Sequence, residues 1–569
     1  LLSVIVILTG IILYAIAYWG YVKWFDKNVI MSDPKRETPA HTYMDGVEFF
    51  PTNKYILFGF QWKSIAALGP VLGPIIALQW GWLPAFLWIV FGTIFIGWIH
   101  DYGSLMVSVR SEGASFGPIT YELISPRART ILLWYILWYI ILILSSFTNQ
   151  VARLFQRFPV SPIPVLIVAI IGVIVGFLTY RFKVNIVYTT VIAVIIIFLG
   201  IWAGIAMPYT APLEPVPATG PVPPFPNALD FWMFITLLFC FLGAVLPIWV
   251  FIQPINYLSF YLVYAGVIGV IIGALIGAPN YQYSMTTTFF DSALKVTPSG
   301  PLWPMMFVTV ACGAISGWHS LIGSSVSSKQ LDTEPDAHFV GGGAMLAEGI
   351  MALVALTSVA ILNPATTKNV SDPAGSFVTG ARTLFENLGI PSNVGEGLAS
   401  VMLIILAITI MHIGLRITRL VLADLAGPKA GGIFKNKYFS AIVVCIIVYI
   451  VTSPHIGAAF QYIWGTFGGA NQLMAGLALM IVSLWLTKEK RPRVYTMIPM
   501  LFMLVTTLSA LTYLIYIGIF GPTGYLADPT RWGALVAVGV NIFLLILGLF
   551  MCYEGAKAFK RLRAVAKTA

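Results

Sequence analysis

Hydrophobic residues along this chain gather into fifteen runs of helical length, separated by short polar stretches. The runs cover approximately residues 1–22, 56–79, 83–109, 130–151, 163–180, 184–207, 230–252, 256–278, 302–327, 338–362, 397–423, 438–453, 457–487, 494–518 and 532–553. About 20 apolar residues of helix cross the hydrocarbon core of a bilayer, so each run is a candidate span. Residues 1–22 lack a basic leading region and a small-residue cleavage site, and are expected to form a membrane helix rather than a signal peptide. Boundaries are weakly marked at Trp80-Gly81-Trp82 and from Gln253 to Asn256.

The second run interrupts itself. Gly69-Pro70-Val71-Leu72-Gly73-Pro74 lies near its middle, and each proline lacks an amide donor and clashes with the carbonyl four residues back. Backbone groups freed in hydrocarbon are costly unless protein, water or a ligand satisfies them, so a discontinuous helix at mid-depth is a candidate binding site. The ninth run carries Cys312-Gly313-Ala314-Ile315-Ser316-Gly317-Trp318-His319-Ser320, small residues that weaken a helix or admit a close neighbour. Five runs begin at Ile56, two follow, and five more begin at residue 302, so the second block starts from the opposite side of the membrane. Two broken helices opening two oppositely oriented blocks is the signature of an inverted repeat. The expected architecture is all-α and polytopic, with about fifteen transmembrane helices and a five-plus-five core. Its divisions are 1–55 (extra helix and polar segment), 56–207 (first repeat), 208–301 (Pro-rich loop and two inserted helices), 302–487 (inverted repeat) and 488–569 (two helices and a basic tail).

Composition agrees: 59% of the 569 residues are hydrophobic and 9% charged, which no soluble domain hides. The net charge of +10 is set by its distribution across the loops. With the N-terminus outside, 23 of the 32 Lys and Arg fall on one side and six on the other, Arg153, Arg157, Lys295, Lys368, Arg382 and Arg531. The positive-inside rule then places the C-terminus in the cytoplasm, and contact with lipid, not nucleic acid, accounts for the basic excess. Cys240, Cys312, Cys445 and Cys552 show no metal-ligand spacing and read as small core residues. Walker A, HExxH and CxxC patterns are missing, so neither ATP hydrolysis nor enzyme chemistry is expected. Loop 208–229 is Pro-rich and external, and segment 363–398 is expected to hold one short helix around Arg382 to Leu388.

Ionisable residues inside spans mark the candidate chemistry, because burying them is expensive unless they are paired or wet. The third run ends in His100-Asp101-Tyr102, and the tenth contains Glu348; each follows a broken run. Asp101 and Glu348 are candidate proton carriers or, equally, acceptors for opened backbone. His319 beside the second break and His100 beside Asp101 are candidates for anion binding or proton relay. Lys63, before the first break, is placed to substitute for a bound cation or to attract a carboxylate, or else to snorkel. Arg416 and Arg419 read as anchors at a cytoplasmic helix end, and His412 as structural. Asn471-Gln472 sits among the glycines of the thirteenth run, lining a path or joining helices.

These segments together resemble the carbon starvation protein A (CstA) family of membrane transporters. The likeness is carried by Asp45-Gly46 through Pro51-Thr52-Asn53-Lys54, Leu57-Phe58-Gly59, Gly69 to Pro74, His100-Asp101-Tyr102, Leu246-Pro247-Ile248-Trp249, Cys312 to Ser320 and Phe467 to Gln472, in order from about residue 20 to 490. Relatives often carry a histidine pair where this chain has Phe60-Gln61, so a role of that pair does not transfer. The resemblance implies a prokaryotic inner-membrane uptake system for short peptides or pyruvate, used when carbon is scarce. It also implies the LeuT-like core of the amino acid–polyamine–organocation superfamily.

The expected function is therefore secondary active transport by alternating access, coupled to protons or Na⁺. The substrate site would be formed by Gly69, Pro70, Gly73, Pro74, Gly313, Ser316, Gly317, Trp318, His319, Ser320 and Asn471. Asp101, Glu348, His100 and Lys63 would couple the ion. No cofactor and no obligatory protein partner is expected. The rival expectation is a membrane sensor or redox subunit holding haem or metal through His100, His319 and His412.

Overall fold

The computed structural model describes residues 1–46, 48–217, 222–285, 296–297, 299–455, 463–522 and 524–568. In chain order its long helices are α1 (Leu2–Ile30), α2 (Lys54–Ile65), α3 (Gly69–Trp80), α4 (Trp82–Val109), α5 (Pro126–Arg157), α6 (Pro162–Arg181), α7 (Ile186–Ala206), α8 (Ala228–Val245) and α9 (Ile252–Gly277). They continue with α10 (Leu302–Lys329), α11 (Glu334–Ala360), α12 (Pro373–Glu386), α13 (Ser392–Gly427), α14 (Lys437–Thr452), α15 (Ile463–Lys488), α16 (Val494–Phe520) and α17 (Gly533–Ala564). Thirteen are long and apolar enough on their own to cross a membrane. The pair α2–α3, bent by 52°, and the 16-residue α14 occupy the other two of the fifteen expected positions. A two-residue strand pair, Val296–Thr297 with Gly300–Pro301, is the one sheet among the described residues.

Helix starts follow from capping side chains. Asn53, Ser125, Asn185 and Asn436 each accept a hydrogen bond from an amide in the following turn, and Asn227 with Asp230 forms a capping box. Several boundaries differ from the apolar runs. The first helix does not stop at residue 22 but continues through Lys23 and Lys27 to Ile30, because Asp26 bonds Tyr102 and Phe25 is buried. The Gln253 to Asn256 gap is helical, with Asn256 buried. The short helix expected near Arg382 runs from Pro373 to Glu386, opened by an Asp372 cap. Part of the Pro-rich loop (218–221) and the expected start of the thirteenth run (457–462) lie outside the described residues.

The core is ordered by burial. The apolar stretches of α13 and α15 are buried throughout, while those of α6, α7 and α9 are buried over only 33% of their length. Ile192, Ile195, Leu199 and Trp202 on α7 are exposed, an apolar face that suits lipid rather than water.

The two broken spans lie side by side and antiparallel. From one end to the other, Thr52 bridges Leu331, Gln61 meets Ser327, Ser64 meets Trp318, Gly69 lies on Cys312, Gly73 lies on Val310, and Trp80 meets Gly300. A Cβ on Gly73 would sit 2.4 Å from the Val310 carbonyl oxygen, so only glycine lets these two backbones touch. The next helices of each block pair in the same sense, with Gly97 on Met345, Trp98 on Gly342 and Tyr102 on Gly341. So do α5 and α13, through Arg129 with Asp424 and Leu144 with Gly414.

Candidate functional site

Both breaks are real, but they fall slightly away from the expected residues. The first opens at Ala66–Leu68, and Gly69 to Ala77 is already helical, with Pro70 in the first turn where its missing amide costs nothing. The second opens between Ala311, which has φ 49°, and Ser316, which is extended; Gly317 then starts a second half-helix reaching Ser325. Trp318, His319 and Ser320 therefore project from a helical first turn rather than from unwound chain.

Freed backbone groups at the breaks are met by side chains from neighbouring helices. Gln472 donates to the carbonyls of Phe307 (2.7 Å) and Ala311 (3.4 Å), closing the end of the first half of α10. Asn471 Oδ1 accepts from the Gly317 amide (3.1 Å), from Ser316 Oγ (3.0 Å) and from Tyr139 Oη (2.6 Å), opening the second half. Adjacent amides on α15 thus cap both sides of one break. Thr93 donates to the Gly313 carbonyl, and the Trp318 indole donates to the Ser64 carbonyl at the end of α2. Ser320 spends its hydroxyl on the Gly317 carbonyl of its own turn.

The ionisable residues converge. His100 Nδ1 lies 2.7 Å from Asp101 Oδ1, Asp101 Oδ2 lies 2.8 Å from His319 Nδ1, and His319 Nε2 lies 2.9 Å from Glu348 Oε2. All four side chains are 0% exposed, and together they tie α4, the second half of α10 and α11. Glu348 Oε1, on the far side of that carboxylate, has no hydrogen-bond partner among the described residues. Side chains from three helices, the adjacent pair His100–Asp101 with His319 and Glu348, thus form one chain of acid and base groups.

Lys63 is separate. It is buried, and its Nζ donates to Thr409 Oγ1 at 2.6 Å on α13, with no carboxylate paired to it among the described residues. The buried position overturns the snorkelling alternative. His412 stands one turn further along α13, stacked on Phe239, with neither ring nitrogen bonded. His100, His319 and His412 therefore do not converge as a haem or metal ligand set, because His412 faces α8 across Gly243. Arg416 caps the end of α8 through the Gly243 and Leu246 carbonyls.

Cys312 departs most from its expected role as a core residue. Its Sγ lies 3.1 Å from Ser316 Oγ and 3.4 Å from Asn471 Nδ2, inside the polar network. Cys312 Sγ, His319 Nε2 and a Glu348 oxygen all lie within 4.8 Å of one another. Tyr139, Thr409, Thr93 and Gln472 were not singled out from sequence as site residues; of these, only Gln472 stood in a polar motif that marked it.

Further out, a cavity of about 800 Å³ lies between the end of α5, the Pro-rich loop and the segment leading into α12. Arg153, Arg157 and Lys368 line it, and Arg157 pairs with Asp372.

A many-helix membrane protein with two antiparallel broken spans at its centre, one bearing a buried acid–base chain, is the class these features define. The chain belongs to the family described as Carbon starvation protein CstA, which matches residues 2–381 and 365–510. It is 29% identical to the peptide transporter CstA of Escherichia coli K12 over 89% of this chain and 80% of that one. It is 27% identical to the Bacillus subtilis peptide transporter CstA over 98% and 97% of the two chains. Against the Escherichia coli pyruvate/proton symporter BtsT it is 31% identical, covering 63% of this chain and 49% of that one. Among solved structures, a manganese transporter of Eremococcus coleocola superposes at TM-score 0.46 with 11% identity, covering 88% and 94% of the two chains. MhsT bound to L-phenylalanine does so at 0.46 with 12% identity, covering 85% and 98%.

Proposed function

We infer that this protein is a secondary active transporter that imports a small carboxylate such as pyruvate, or short peptides, by proton symport. The observation that carries the reading is the chain His100–Asp101–His319–Glu348 seated at a helix break. A proton on this chain changes the charge between α4, α10 and α11, the elements that rock in alternating access. The antiparallel pairing of α2–α3 with α10, α4 with α11 and α5 with α13 supports a five-plus-five inverted repeat over 56–207 and 302–487. Relatives named peptide transporters and a pyruvate/proton symporter support the substrate classes and the proton.

The proposed substrate site lies at the two breaks, where Gly69 packs on Cys312, Gly73 on Val310 and Pro74 on Gly313. A substrate carboxylate at the start of the half-helix at Gly317 would replace Asn471 Oδ1 as acceptor of its first amide. The outer cavity with Arg153, Arg157 and Lys368 supports an anionic substrate, since cations lining a cleft raise the local anion concentration. Lys63 ties the inner half of the first broken span to α13 through Thr409, its amine standing in for a coupling cation such as Na⁺. The protein works in the lipid bilayer of a prokaryotic inner membrane, N-terminus outside and C-terminus in the cytoplasm, without changing its substrate chemically.

The test is uptake of labelled pyruvate and of a labelled dipeptide into proteoliposomes under an inward proton gradient. Accumulation of one of them, abolished by a protonophore and by Glu348→Gln, is expected. Folded protein that accumulates neither overturns the reading.

A further inference from the structure

We propose that Cys312, His319 and Glu348 form a binding site for a divalent transition-metal ion of the zinc class. The three donor atoms, a thiol sulfur, an imidazole Nε2 and a carboxylate oxygen, are buried and lie within 4.8 Å of one another. Sulfur, nitrogen and oxygen donors in this number suit Zn²⁺ or Co²⁺, and leave a fourth position open. A tetrahedral ion with bonds of about 2.0–2.3 Å separates its ligands by roughly 3.3–3.8 Å. The pocket reaches that size by side-chain adjustments of about 1 Å.

Two further features point to an ion rather than to simple packing. The first is that Glu348 Oε1 is fully buried with no hydrogen-bond partner among the described residues, while Oε2 faces His319 Nε2 at 2.9 Å. The second is the set of groups behind the ligands. Asp101 holds His319 Nδ1 at 2.8 Å and is held in turn by His100, so Nε2 is the nitrogen presented to the pocket. A carboxylate on the far nitrogen of a ligand imidazole is the usual partner arrangement at metal sites. Asn471 Nδ2 donates to the sulfur at 3.4 Å, a contact that a thiolate strengthens, while the thiol itself donates to Ser316 Oγ at 3.1 Å.

Binding releases the thiol proton to solvent, since the ligating form of Cys312 is the thiolate. A bound ion fastens α10 to α11, across the junction that must rearrange for transport, and so arrests the carrier. The arrest rests on the transport reading above; the binding site does not.

The probe is Co²⁺ alone, titrated into full-length purified protein that has been stripped with a chelator. About one Co²⁺ per chain with a thiolate-to-cobalt charge-transfer band is expected. Cys312→Ser removes the band, with Cys312→Ala as a second variant should the first unfold. Asp101→Asn weakens Co²⁺ binding about 10–100-fold. Replacing Cys240, Cys445 and Cys552 together by Ala leaves the band in place. A folded wild type without the band, or a band that survives Cys312→Ser, overturns the proposal. Proton-driven uptake by protein that binds no Co²⁺ overturns the metal site alone. Co²⁺ binding by protein that accumulates neither pyruvate nor dipeptide overturns the transport reading alone.

Discussion

The two helix breaks sit against each other and are built from opposite chemistry. The first, at Ala66–Leu68, is followed by Gly-Pro pairs and built from alanine, leucine and valine, with Lys63 in the turn before it. The second, from Ala311 to Ser316, carries Cys312, Ser316 and His319 and gathers Asp101, Glu348, Asn471 and Gln472 from three other helices. Proline breaks a helix by covalent geometry and asks little of its surroundings. Glycine and serine merely weaken one, so the second break is held open by side chains supplied from α15 and α4. The difference leaves the first break as apolar backbone and concentrates the buried acid and base groups at the second.

The largest expected effect lies at the second break. Asp101→Asn, His319→Ala or Glu348→Gln lowers proton-driven uptake in proteoliposomes by roughly 100-fold, the upper range of coupling between two sites. Equal losses in substrate exchange without a gradient would mean that these residues bind substrate rather than couple the ion. Next in size is the contact between the breaks. Gly73→Ala forces a methyl into the Val310 carbonyl and costs about 1–3 kcal/mol, read as a fall in the thermal unfolding temperature in detergent. An unchanged unfolding temperature would show that the two spans do not touch there.

Asn471→Ala strands the Gly317 amide and the Tyr139 hydroxyl and costs about 1–3 kcal/mol. Asn471→Asp, which keeps the accepting oxygen, is expected to recover most of it. Lys63→Met tests the sparse end of the comparison, because it removes a buried ammonium bonded to one hydroxyl. The protein is expected to become more heat-stable while uptake falls, since burial of a poorly paired charge opposes folding. Loss of stability with uptake intact would make Lys63 a structural strut. Smallest is Pro74→Ala, which restores an amide donor inside α3 and changes stability by less than about 1 kcal/mol, with a modest slowing of uptake.

The apolar runs and the caps Asn53, Ser125, Asn185, Asn227 and Asn436 made the helices legible from sequence, because length, hydropathy and local hydrogen bonding are properties of short segments. The breaks were legible to within a few residues for the same reason: proline and glycine act on the turn that contains them. The ionisable residues His100, Asp101, His319 and Glu348 stood out one by one, as charge in hydrocarbon always does. Their assembly into one chain was invisible, since 218 residues separate Asp101 from His319 and no local rule specifies which helix faces meet.

Cys312 shows the limit most clearly. By sequence it is a small residue in an apolar run, yet the crossing of α10 with α11 and α15 sets its sulfur among Ser316, Asn471, His319 and Glu348. Lys63 likewise offered no partner until α13 brought Thr409 to it. Sequence by itself determined which segments enter the membrane, where two of them fail as helices and which side chains carry charge there. Only the tertiary structure decided which of those side chains share a site, because that depends on antiparallel packing between segments more than 200 residues apart, and packing is a property of facing surfaces rather than of neighbours along the chain.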